Sequence, residues 1–98
     1  MTLGEFELTL VQSKPPAGLA PALAALWWAG RDQWDKAHRI VMDEGGKECA
    51  WVHAYLHRVE GDLGNAGYWY RTAQRPISIE PPPAEWAAIA ETLLEKGP

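Results

Sequence analysis

Residues Ala50–Pro76 read AWVHAYLHRVEGDLGNAGYWYRTAQRP, and this stretch decides the fold. At a helical turn of about 100° per residue, Trp51, Val52, Tyr55, Leu56 and Val59 fall within one arc of about 140°, which predicts an amphipathic helix. Gly61 ends it, because glycine takes positive φ without a Cβ clash. Asp62 can then cap a second helix by accepting a hydrogen bond from a free first-turn amide. In that second helix Leu63, Ala66, Trp69, Tyr70 and Ala73 share a face, and the small Ala66 lets the two helices approach closely. The spacing predicts an antiparallel helical hairpin stopped near Pro76.

The pattern Gly61-Asp62-x-x-x-Ala66-x-x-Trp69-Tyr70-x-x-Ala73 resembles the second half of a tetratricopeptide repeat. In the first helix Ala54 stands where that family places a small residue, whereas His53 and His57 occupy positions usually filled by apolar or aromatic side chains. The resemblance implies a helical repeat used for protein binding. The stretch also resembles small uncharacterised bacterial proteins with a similar Trp-x-His-Ala-Tyr-Leu-His-Arg and Tyr-Trp-Tyr-Arg signature, a likeness that implies no activity.

Working outward, a slide of 29 residues superposes Ala37 on Ala66, Trp34 on Leu63 and Leu26 on Tyr55, which suggests an earlier copy of the same unit. Its first helix is expected from Leu19 or Pro21 to Ala29, with Gly30 as its stop and Trp28 pointing away from the Leu19, Leu23, Leu26 and Trp27 row. Its second is expected from an Asp32 N-cap to Asp43, with Trp34, Ala37 and Val41 on one face. After Pro81-Pro82-Pro83, Trp86, Ile89, Ala90, Leu93 and Leu94 form an apolar stripe opposite Glu85, Glu91 and Glu95, as suits a capping helix. Leu3–Val11 alternates well enough for a short strand, with Leu8 and Leu10 on one side and Glu7, Thr9 and Val11 on the other, but with no second strand to pair it predicts an extended arm or frayed turn laid over the helices. The expected architecture is an all-α single domain over 1–98: an extended N-terminal arm (1–18), a first hairpin (19–44), a second hairpin (47–75) and a C-terminal helix (82–96).

The 98 residues allow one modest core, and six tryptophans compensate for its alanine content. A net charge of −4 argues against general nucleic-acid binding. The longest apolar run, Gly18–Gly30, is shorter than the roughly 20 residues that span a bilayer, so no membrane association is expected. The lone Cys49 excludes an intramolecular disulfide, and with no export signal visible the expected location is cytoplasmic.

Chemistry concentrates on one helix face. Cys49, His53 and His57 follow one another at spacings of four, with Glu60 three further on. The favoured function is a non-enzymatic interaction or self-association module. His53, His57, Cys49 and Glu60, together with an exposed Trp28, would meet a ligand or protein partner, without a cofactor or catalytic residue. The alternative is a small metal- or ligand-binding protein, or an enzyme, using the Cys49, His53 and His57 face; for metal these three are the ligands. Arg58, Tyr68, Arg71 and Arg75 are expected on a solvated edge.

Overall fold

The apolar periodicities become six α-helices among residues 1–97, the part of the chain described by the computed structural model. They are α1 (Leu3–Leu8), α2 (Pro21–Gly30), α3 (Trp34–Asp43), α4 (Lys47–Glu60), α5 (Leu63–Ala73) and α6 (Pro82–Glu95), with a 3-10 turn at Thr9–Val11. No strand occurs among the described residues, and the last residue of the expected domain, Pro98, lies outside them. None of these helices is long and apolar enough to cross a membrane.

The N-terminal segment is helical, which corrects the expected extended arm. Thr2 Oγ1 accepts from the Glu5 amide at 3.1 Å and Glu5 Oε1 accepts from the Thr2 amide at 2.7 Å, a capping box that nucleates α1. The helix then inserts Phe6, fully buried, against Trp86 with ring centroids 5.7 Å apart. Trp27 Nε1 donates to Thr9 Oγ1 and Arg31 Nη1 donates to the Leu10 carbonyl, both at 2.9 Å, so the following turn is fastened to α2.

Helix α2 occupies the centre, packed against α3, α4 and α6. It buries Ala22, Leu23, Ala25, Leu26 and Trp27, more than one face of a helix, as expected of an element covered on several sides. Gly30 is its last helical residue and does not stop it through positive φ. A Cβ there would lie 3.0 Å from Trp86 Cζ2 and 3.1 Å from Leu10 Cδ2, so this glycine serves a close approach. The turn is made by Asp32 at φ 59°, with the Gln33 amide donating to the Trp28 carbonyl at 2.9 Å. Asp32 is therefore not the cap of α3; Gln33 holds that position.

The end of α4 repeats this geometry 29 positions later. Gly61 has φ 89° and the Asp62 amide donates to the His57 carbonyl at 2.9 Å. Asp62 caps α5 as expected, accepting from the Asn65 amide at 3.2 Å. Ala66, with Ala54 and Tyr70, forms a small second core where α4 meets α5. Helix α6 turns Trp86, Ile89, Ala90, Leu93 and Leu94 inward. Glu85, expected on its charged face, is buried. It accepts from Arg58 Nη1 at 2.8 Å and from the Tyr70 hydroxyl, while Arg58 also donates to the Glu80 carbonyl. Arg58 thus belongs to a clamp joining α4, α5 and α6, and burial, followed by the bond to Glu85, holds the Tyr70 phenol above its usual range.

Candidate functional site

Three helices converge on a box of imidazoles and tryptophans. Trp34 opens α3 and donates from Nε1 to the Leu56 carbonyl at 2.8 Å, which pins α3 to α4. One turn later the His38 ring stacks on Trp34 at 4.5 Å. Helix α4 contributes His53 and His57, stacked at 4.8 Å because residues four apart lie one above the other on a helix. Helix α5 lays Trp69 on the His53 ring at 3.9 Å. Ring centroids separated by 4.9 Å (His38–His53) and 5.2 Å (His38–His57) complete a nearly equilateral triangle.

One ligand nitrogen from each ring lies within 4.8 Å of those of the other two. His38 Nε2 and His53 Nε2 are 3.1 Å apart. His57 Nδ1 donates to Glu60 Oε1 at 2.6 Å. Since a carboxylate only accepts, the His57 proton sits on Nδ1, and Nε2 faces Asn65 Nδ2 at 3.3 Å. His53 is 2 % exposed and its Nδ1 is buried without a partner, an expensive condition for a ring nitrogen. Burial, reinforced by His57 and His38, pushes the His53 pKa down to about 4. Burial also lowers that of His38, aided by His57 and opposed by Glu60 and Asp35. Both rings are neutral at pH 7, and the 3.1 Å contact between their Nε2 atoms is an N–H···N hydrogen bond in which one ring donates and the other accepts.

His53 and His57 thus come together, with Glu60 behind His57. Cys49 stands apart in the main core, beside a cavity of about 280 Å³ that Leu23 and Leu93 also line. A helix advances about 40° with every four residues, so two steps carry Cys49 some 80° from His57 and toward α2 and α6. Burial, then Glu44 and Glu48, raises its thiol pKa, so the thiolate is disfavoured. Trp28 is half-buried, set edge-on to Trp27 at 5.0 Å, with Lys36 Nζ over its ring at 4.3 Å.

The sequence reading missed His38, Asn65 and the partnership of Trp69 with His53. A signal for His38 was present, since it follows Trp34 by one helical turn and flanks the face predicted for Trp34, Ala37 and Val41. Comparison with protein-family models, curated proteins and solved structures gave no match. The three converging nitrogens of the box, one backed by a carboxylate, form a donor set for borderline divalent metals. His57, Glu60 and Asp62 form a second, more exposed grouping.

Proposed function

We propose that the protein binds one divalent transition-metal ion, of the zinc, copper, nickel or cobalt class, through His38, His53 and His57. The carrying observation is the convergence of three imidazoles whose ligand nitrogens lie within 4.8 Å of one another. Two nitrogens bound about 2.0–2.1 Å from a tetrahedral zinc stand roughly 3.3 Å apart, and the His38–His53 separation of 3.1 Å is close to that. The hydrogen bond from His57 Nδ1 to Glu60 orients the ring as carboxylates behind metal-bound histidines do. The donors are all imidazole, with His38 in place of the expected Cys49. Tag-free protein stripped of metal is expected to take up one zinc ion per chain and melt at higher temperature. No uptake, with superimposable melts with and without chelator, overturns the proposal.

A second reading, a protein-interaction or self-association module, draws on the connector between α5 and α6. Ile77 and Ile79 there are 63 % and 92 % exposed beside a groove that Trp51 and Ile89 also line. The packing of α2 with α3 and of α4 with α5, together with their shared corner geometry, supports two tetratricopeptide-like hairpins capped by α6. Light scattering tests self-association: a concentration-dependent mass that Ile77→Ser with Ile79→Ser abolishes supports it, and a strict monomer removes it.

A further inference from the structure

We infer that the cavity beside His53, between α3, α4 and α5, binds a small aromatic alcohol whose hydroxyl pairs with His53 Nδ1. This goes beyond the metal proposal and holds for metal-free protein. Helices α3 and α5 both pack on α4. Between them lies a cavity of about 550 Å³ lined by Val41 and Met42 of α3, Ala50 and His53 of α4, and Trp69 and Thr72 of α5. Small-molecule sites have this volume, and they too have mostly apolar walls with few polar groups. Gly45 and Gly46 border the cavity without side chains, and Met42, 62 % exposed, is flexible enough to shift for an occupant.

His53 supplies the second observation. It is 2 % exposed, with Trp69 stacked on it at 3.9 Å, His57 at 4.8 Å, and His38 Nε2 3.1 Å from its own Nε2. Its Nδ1 has no partner, although the residue stands in the cavity wall. The other polar groups of that wall are engaged: Thr72 Oγ1 donates to the Tyr68 carbonyl at 3.0 Å, Lys47 Nζ donates to Gln74 Oε1 at 2.7 Å, and Glu44 is exposed to water. Either His38 or His53 donates in their shared bond, so His53 Nδ1 is a lone pair in one arrangement and an N–H in the other. A hydroxyl answers both, since it donates and accepts. A carboxylate or an ammonium answers only one, and it brings a charge against an apolar wall. Water would satisfy Nδ1 but leave Val41, Ala50 and Trp69 uncovered, whereas an aromatic alcohol serves both needs.

The test uses metal-free, tag-free protein carrying isotope-labelled histidine and tryptophan, followed by nuclear magnetic resonance. The probes are para-ethylphenol and ethylbenzene, which share a body and differ by the hydroxyl. Para-ethylphenol is expected to shift the His53 Nδ1 and Trp69 signals saturably and to bind about tenfold more tightly than ethylbenzene. His53→Phe keeps a ring against Trp69 and His57, and it should abolish that preference while ethylbenzene still binds. Should the variant fail to fold, the pair of probes on the natural chain decides. Equal or tighter binding of ethylbenzene overturns the pairing with Nδ1. A preference that survives in folded His53→Phe overturns His53 as the partner. No saturable shift with either probe overturns the cavity as a binding site and leaves the metal proposal standing.

Discussion

The junction of α1, α2 and α6 and the junction of α3, α4 and α5 solve the same packing problem with different chemistry. At the first, Phe6 stacks on Trp86, and Trp86 Nε1 donates to the Leu26 carbonyl at 2.8 Å, so the rings fill space and the indole nitrogen is satisfied. At the second, three imidazoles take the place of packed carbon, and one buried nitrogen of His53 has no partner. The first arrangement leaves the indole N–H paired and the rings packed. The second accepts a local cost, the pattern expected where a core has a use besides cohesion.

The sharpest way to break the comparison is Trp86→Ala. It removes the stack with Phe6 and leaves the Leu26 carbonyl without its donor, and it should cost about 3–5 kcal/mol in urea unfolding. A smaller cost would mean that the first junction is not the anchor.

Next is acid. His53 faces His38 from α3, His57 on α4 and Trp69 from α5, while Glu60 pairs with His57. Its pKa is held near 4 in the folded protein against about 6.5 unfolded, so the unfolded chain takes up the proton first as pH falls. The stability from neutral His53 is complete above about pH 6.5 and lost down to about pH 4. The loss is on the order of 3 kcal/mol in metal-free protein. His53→Gln should flatten that slope, as followed by denaturant midpoints across the range.

Glu60→Gln tests the support behind His57. An amide can present its NH₂ to the ring and lose the preference for a proton on Nδ1, and zinc affinity should fall by roughly 10- to 100-fold in a competition titration. The smallest expected effect is Gly30→Ala. The helix gains propensity, but the new methyl presses on Trp86 and Leu10, for a net cost of about 1 kcal/mol in thermal unfolding.

Much of the helical content was legible because the stripes of α4, α5 and α6 and the glycine at 61 are local signals. The N-terminal segment was misjudged by weighing the alternation of Leu8 and Leu10 above the Thr2–Glu5 box. Asp32 was assigned as a cap because aspartate favours that position, although it also tolerates the left-handed conformation it adopts here. The site was half legible. Spacing within α4 named His53 and His57, but periodicity shows which residues share a face and not which faces meet. His38 reaches His53 across 15 positions, a tertiary fact. Glu85 was hidden for the same reason, since its partners Arg58 and Tyr70 lie on α4 and α5.

The bond from Trp86 to the Leu26 carbonyl joins residues 60 positions apart. A ribosome adding roughly 5–20 residues per second needs about 3–12 s to pass from one to the other. For that interval the nascent chain carries Leu26 and Phe6 without the ring that covers them. The interval ends only when α6 emerges, so a helix made well after α2 is the one that closes this central helix against association with neighbouring chains.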